Sequence, residues 1–360
     1  MKIGVLTHHY VKNFGAFLQA YSLINLLEQE YPKAQIEFID YRVLKHEYIN
    51  SIHYFGYRPS RGDGLIGYIN KIGLYFTHLK YEKSLPKSKR YRSVEGINSA
   101  NYDLIIVGSD EVWNYNDIAY DPIKFGYGLT SNVITYAVSA GNSKYDDGIY
   151  EEIKDGIEAS KAISVRDDIT EQLVYDLTYQ KAIRVLDPVF LCDFNIQCRK
   201  KIKELVAQKE YILIYDCCMS EKQINTLVKY AAGNNMNILG AGEYRKWYSS
   251  TSTVNVTPFE WIYLFEHAKA VITGTFHGTS FAIKYNKPFA VFATFQNRIS
   301  KVRSLLRMFG MENRLVTDPN ISLTEIIDAN ISYNEVNKVI EEMKEQSLDY
   351  LFSNINEFSA

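Results

Sequence analysis

The sequence predicts an α/β protein built from two successive domains that face a cleft. Three observations carry this reading. Short apolar runs alternate with segments of helical apolar spacing in both halves of the chain. The alternation breaks once, at "VLDPVFL" (Val185–Leu191), where Asp187-Pro188 marks a turn. The 360 residues also divide into halves of ordinary domain size, roughly 100–200 residues. The expected boundaries are 1–187 for the first domain, 188–332 for the second and 333–360 for a C-terminal helix.

In chain order, Lys2–Thr7 reads as the first strand, and Phe17, Leu18, Tyr21, Ile24 and Leu27 form the apolar face of the helix after it. Ile36–Ile39 is the next strand. From about 42 to 95 the pattern weakens and Tyr, Lys and Arg dominate, so this part reads as an insertion with one or two amphipathic helices. Strands follow at Leu104–Val107, Val133–Val138 and Ile163–Val165, then a helix at Ile169–Leu177. The second half repeats the pattern: strand Tyr211–Tyr215, helix Glu221–Ala232, strand Asn237–Leu239. Thr257, Pro258 and Glu260 supply an N-cap, a first-turn proline and the third-position acid of a capping box. Ala270–Thr273, the apolar spacing of Thr279–Tyr285 and Pro288–Phe292 form a strand-helix-strand unit. A helix at Ile299–Phe309 and a charged amphipathic helix at Glu335–Phe352 close the chain.

Composition excludes several classes. A net charge of −2 gives no electrostatic case for nucleic acid. The cysteines at 192, 198, 217 and 218 match no zinc spacing and no disulfide scaffold, and Cys217 and Cys218 read as small core residues at a strand end. The start "MKIGVLTHHYV" is too short and polar for a signal peptide, and no run of 18 apolar residues is present, so a cytoplasmic protein is expected. There is no Walker motif, no GxGxxG and no metal-ligand cluster, which disfavours nucleotide hydrolysis, dinucleotide chemistry and metal hydrolysis. The 29 tyrosines suit packing at element edges, and some suit a sugar-binding cleft.

Four strand ends carry polar residues that a core would not want, on the edge where open α/β sheets bind ligands. Asn13 and Gly15 follow the first strand and read either as a glycine-aided helix start or as a backbone cradle for an anion or sugar. Ser109, Asp110 and Trp113 leave a buried strand. They read as a helix cap, or as a carboxylate and an indole for a sugar. Arg166 is either paired on the surface with Asp167 or Asp168, or aims its fork at a substrate carboxylate or phosphate. His277 and Gly278 stand between a strand and a helix N-terminus, where an imidazole can move protons near neutral pH and backbone N–H groups favour anions.

These stretches resemble the polysaccharide pyruvyl transferase family. The matching pieces are "NFGAFLQAYSL", "YDLIIVGSDEVWN", "ITYAVSAG", "SVRDD", "LDPVFLC" and "TGTFHGTSFAIKYNKPFAVF", in the family's order from about residue 3 to about 314. The resemblance implies a fold like that of GT-B glycosyltransferases, with two Rossmann-like domains and the C-terminal helix returning to the first. It implies transfer of a pyruvyl group from phosphoenolpyruvate, as co-substrate and without a cofactor or metal, to two sugar hydroxyls. The product is a cyclic ketal on a cell-surface polysaccharide or its lipid-linked precursor. The acceptor would then bring the protein to the inner face of the cytoplasmic membrane.

Position by position, Arg166 matches the arginine associated with phosphoenolpyruvate and His277 matches the family histidine. Many members carry arginine two residues before that histidine, where this chain has Thr275. The Thr275 hydroxyl and the N–H groups from Gly278 through Thr279 to Ser280 are the expected substitutes as anion ligands. The chemistry assigns proton transfer to His277, with Asp110 as the next candidate, and places Asp110 and Trp113 against the acceptor sugar. Two other readings share the fold: a nucleotide-sugar glycosyltransferase using Glu243 in "GAGEYRKW", and a non-catalytic binding or scaffold member, for which Thr275 speaks.

Overall fold

The structure, a computed structural model, describes residues 1–57, 64–145, 149–293, 296–317 and 323–358. Part of the expected insertion, 58–63, therefore lies outside the described residues. The chain runs β1 (Lys2–Leu6), α1 (Phe14–Glu30), β2 (Gln35–Phe38), α2 (Leu44–Ile52), α3 (Leu65–Ser84), α4 (Val94–Asn98), β3 (Leu104–Asp110), β4 (Asn132–Val138), α5 (Glu151–Ala159), β5 (Ser164–Val165), α6 (Asp168–Thr178), β6 (Ile183–Arg184) and α7 (Pro188–Leu191). It continues through α8 (Lys200–Gln208), β7 (Tyr211–Tyr215), α9 (Glu221–Gly233), β8 (Asn237–Gly240), α10 (Pro258–His267), β9 (Ala270–Thr273), α11 (Phe276–Lys284), β10 (Phe289–Val291), α12 (Gln296–Met308), α13 (Leu323–Asp328) and α14 (Tyr333–Asn356).

Two compact units result: Met1–Asn50, Glu82–Cys192 and Lys338–Ala360 form the first, and Ser51–Tyr81 and Asp193–Asn337 the second. In the first unit six parallel strands lie in the order β2-β1-β3-β4-β5-β6. Leu104, Ile105, Ile106 and Val107 of β3 are wholly buried, as continuous apolar strands covered on both faces must be. The strand order reverses between β1 and β3, which makes their carboxyl ends the switch point where open sheets hold ligands. In the second unit the order is β10-β9-β7-β8, and the switch point falls between β7 and β9.

Helix α14 packs on the first unit, as the resemblance implies: the Leu186 N–H donates to Ser347 Oγ at 2.9 Å and Tyr350 Oη donates to the Thr135 carbonyl at 3.0 Å. Helix α3 goes the other way. The sequence pattern places the whole stretch 42–95 with the first domain, yet residues 51–81 group with the second unit. The contacts explain it: Thr77 Oγ1 donates to Asn255 Oδ1 at 2.7 Å, and the Tyr81 and Phe259 rings meet edge to face at 6.0 Å. Chain order carries no sign of such pairs.

The Thr257–Glu260 capping box forms with both reciprocal bonds, and Pro258 opens α10. At the end of β3, Gly108 has φ +114°, and a Cβ there would lie 2.3 Å from the carbonyl oxygen of Tyr136 on β4. That neighbour is backbone inside a sheet and cannot step aside. Gly108→Ala is therefore expected to cost about 2–4 kcal/mol, from positive-φ strain plus overpacking. Urea unfolding of the variant beside wild type measures it, and a loss below ~1 kcal/mol would refute the account.

Candidate functional site

In the second unit the switch point is built by close backbone packing. A Cβ on Gly274 would meet the carbonyl oxygens of Asp216 and Phe292, both at 2.6 Å, so only glycine lets the end of β9 pass between the neighbouring strand ends. Thr275 is the N-cap of α11: its Oγ1 accepts the Gly278 N–H at 3.0 Å. This starts the helix earlier than the apolar spacing indicates and makes His277 its second residue. Gly278 fits because a Cβ would lie 2.1 Å from Thr273 Oγ1. The His277 ring is half-buried and stands edge-on to Phe276, with centroids 5.4 Å apart.

The same geometry gives polar groups of Thr275, Gly278 and Thr279, the expected ligands of an anion, partners within the helix start. The Thr275 hydroxyl holds Gly278, the Thr279 N–H donates to the Thr275 carbonyl at 3.1 Å, and Thr279 Oγ1 donates to that carbonyl at 2.8 Å. Their polar groups build the helix start that presents His277. Across the switch point, Asp216 after β7 pairs with Arg298 Nη1 at 2.9 Å. Beyond β8, Glu243 accepts from Tyr248 Oη at 2.6 Å, and burial pushes its carboxyl up to about 6. Cys217 is half-buried and packs against the core of the second unit, whereas Cys218, three residues past the end of β7, is exposed.

In the first unit, Arg166 follows β5 and is buried, not on the surface. Its Nη1 donates to Asp187 Oδ2 at 2.6 Å and its Nη2 to Asp110 Oδ1 at 3.0 Å. Burial acts to lower its pKa, and Asp110 and Asp187 outweigh burial, holding the guanidinium above its ordinary value. Neither carboxylate is the expected Asp167 or Asp168. Asp167 instead caps α6, accepting from the Thr170 N–H at 2.8 Å. The fork read as open to substrate is thus engaged by two internal carboxylates, of which Asp110 retains 15% side-chain exposure and Asp187 none.

Other expected ligands in this unit prove structural. Asn13 is the N-cap of α1, its Oδ1 accepting from the Gly15 N–H at 2.7 Å. Gly15 is a buried helical residue whose N–H is engaged there, so the cradle reading gives way to the helix start. Ser109 is buried, and its Oγ donates to the Ala137 carbonyl at 3.2 Å. Trp113 is wholly buried, stacked on Phe125 at 5.3 Å, with Nε1 donating to the Lys124 carbonyl, so it faces no sugar. Asp110, at φ +81°, keeps partial solvent exposure at this edge.

Sequence reasoning missed three residues. Asp187 was read only as a turn residue before Pro188, although it also caps α7, its Oδ1 accepting from the Val189 N–H at 3.2 Å. Lys124 and His8 gave no usable signal, since nothing in chain order joins them. Lys124 is buried, with Nζ 2.9 Å from His8 Nε2, and no ion pair among the described residues involves it. Burial pushes its amine down to about 8, against the opposing pull of Asp121 and Asp117. His8 and His46, their rings 5.2 Å apart, are both lowered, first by burial and then by Lys124.

The family model for polysaccharide pyruvyl transferase matches residues 13–296. None of the curated proteins matches the chain. Among solved structures, UGT89C1 of Arabidopsis thaliana aligns with a TM-score of 0.55 at 9% identity, covering 100% of this chain and 99% of that one. The spinosyn forosaminyltransferase SpnP aligns with a TM-score of 0.52 at 11% identity, covering 100% of each chain. A putative UDP-N-acetylglucosamine 2-epimerase from Listeria monocytogenes aligns with a TM-score of 0.52 at 9% identity, covering 99% of this chain and 97% of that one. At such identities the likeness concerns the fold, which is GT-B-like, with parallel sheets of six and four strands.

Two outcomes are expected from these contacts. Asp187→Asn keeps the cap on Val189 but leaves the buried guanidinium one carboxylate short. Breaking such a pair costs on the order of 3–5 kcal/mol, measurable by denaturant unfolding, and a loss under ~1 kcal/mol would show that the pair is not needed. The second outcome concerns pH. Below about 8 Lys124 is protonated in folded and unfolded chains alike, so its burial penalty is constant. Above that value the folded state binds fewer protons than the unfolded state, so stability rises with pH toward the ordinary lysine range. Wild type should therefore gain on Lys124→Met by up to about 3 kcal/mol between pH 8 and roughly 10.5, with no such gain between pH 6 and 7.5.

Proposed function

From the polysaccharide pyruvyl transferase family, to which this chain belongs, we infer that it transfers a pyruvyl group from phosphoenolpyruvate to two hydroxyls of one sugar. The observation that carries the reading is His277, set in the first turn of α11 at the carboxyl end of β9 by Gly274, the Thr275 cap and Gly278. That stretch falls within the family match. The sugar belongs to a cell-surface polysaccharide or its lipid-linked precursor, and the reaction takes place on the cytoplasmic side.

The chemistry needs a proton donor and a proton acceptor, and no redox change. A proton adds to the methylene carbon of phosphoenolpyruvate, leaving oxocarbenium character on the neighbouring carbon. A sugar hydroxyl attacks that carbon and gives up its proton. The bond to phosphate then breaks, and the second hydroxyl takes its place, its proton leaving with the phosphate. His277 supplies and recovers protons in these steps, an effect worth roughly 10²–10⁴-fold for a well-placed group. Asp110 is the second candidate for proton transfer. Arg166 acts from behind it, fixing the Asp110 carboxylate.

A nucleotide-sugar glycosyltransferase is the second reading, favoured by the half-buried Glu243 beyond β8, whose carboxyl is pushed up by burial. Calorimetric titration with phosphoenolpyruvate and with nucleotide sugars separates the two.

His277→Gln keeps size and one hydrogen bond but cannot titrate. Pyruvylation of a panel of hexosides, read by mass, should fall roughly 10²-fold or more, while melting and phosphoenolpyruvate affinity stay near wild type. Full activity in that variant would end the assignment.

A further inference from the structure

Helix α3 reverses the usual arrangement of an amphipathic helix. Leu65, Ile69, Ile72, Phe76, Lys80 and Lys83 recur at helical spacing and share one face. That face is the outer one: Leu65, Ile69 and Phe76 are 69%, 59% and 57% exposed, and Ile66 beside them is 67% exposed. The other side of the helix carries the buried Leu74 and His78, and Thr77 with its bond to Asn255. The apolar stripe therefore serves no core.

The segment before α3 adds to the same surface. Tyr68 Oη donates to the Phe55 carbonyl and Lys71 Nζ to the Gly56 carbonyl, each at 3.0 Å. Phe55 meets Tyr75 edge to face at 4.8 Å, and Tyr57 meets Tyr68 at 5.3 Å. Held this way, Phe55 and Tyr57 still remain 43% and 52% exposed. Single exposed apolar side chains are ordinary, but a contiguous group on one ordered helix marks an interaction surface.

Charge identifies the occupant. On α3 Lys80 and Lys83 are exposed, and the one carboxylate of the helix, Glu82, is buried. Lys80 and Lys83 continue the apolar stripe itself. Apolar side chains, tyrosines and lysines on one helix face suit the boundary between acyl chains and anionic headgroups. No helix among the described residues is long and apolar enough to cross a membrane, so the surface would lie on the bilayer.

We propose that the outer face of α3, together with Phe55 and Tyr57, docks the protein on a bilayer that carries anionic lipids. The proposal rests on this surface alone and is independent of pyruvyl transfer. The test is flotation of the full chain with vesicles of phosphatidylglycerol mixed with phosphatidylcholine, and with phosphatidylcholine alone. Wild type should float with the anionic vesicles, less with the neutral ones, and be released by salt. Replacing Ile69 and Phe76 together by Gln, or Lys80 and Lys83 together by Gln, should weaken anionic-vesicle binding about tenfold or more without altering the melting curve. Failure of wild type to float, or undiminished binding in both double variants, overturns the proposal. So does a wild-type dimer that I69Q/F76Q converts to monomer, which would make the face a self-association surface.

Discussion

The first unit is organised around a buried guanidinium. Removing a charged side chain from water is tolerable only when opposite charge and hydrogen bonds replace what water supplied. Arg166 meets that demand with two carboxylates drawn from separate stretches of chain: Asp110 at the end of β3, and Asp187 at the turn into α7. Three strand-end segments are thereby fixed relative to one another at the edge where ligands bind. Asp187 is doubly engaged, since its other oxygen caps α7, which in turn packs on α1. The short helix after Pro188 is thus part of the same arrangement as the arginine two elements earlier.

The second unit reaches a comparable edge by steric means. Two glycines and a threonine set its shape, because a Cβ at either glycine would collide with backbone or with Thr273. Thr275, where the family resemblance leads one to expect arginine, is engaged as a helix cap. Its oxygen accepts a backbone N–H, so it shapes the turn that carries His277 and adds no positive charge. Any anion handled at this edge must then draw on charge from elsewhere. Within the second unit, Arg298 stands at the neighbouring strand end, already paired with Asp216.

What was legible in the sequence follows from which forces are local. Strand Tyr211–Tyr215 and the capping box at Thr257 could be read because apolar period and cap chemistry act within a few residues. His277 at a strand-to-helix turn was legible for the same reason. Trp113 was misread because an aromatic beside an acid at a strand end looks the same whether it turns to a sugar or inward onto Phe125. Asp187 and Lys124 were missed because their partners lie 21 and 116 residues away in the chain. Asn13 and Gly15 were noticed for the right position and given a second role that the cap geometry leaves no room for.

Lys124 shows how far a buried charge can be informative without a carboxylate. A protonated amine that donates to His8 Nε2 fixes that ring in the tautomer with its proton on Nδ1. Burial has lowered the pKa of both groups, so the pair holds less positive charge than its composition suggests. Arg166 is held above its ordinary value because two carboxylates bond it directly, and Lys124 falls below its own because burial outweighs the more distant pull of Asp121 and Asp117. The carboxyl edge of the first sheet therefore combines one permanent cation, locked between acids, with one adjustable cation backed by imidazoles. Asp110 bonds the guanidinium and opposes, without reversing, the burial that lowers the His46 imidazole. A group reaching Asp110 would meet a carboxylate held by a fixed cation, with imidazoles nearby that burial biases toward their neutral form.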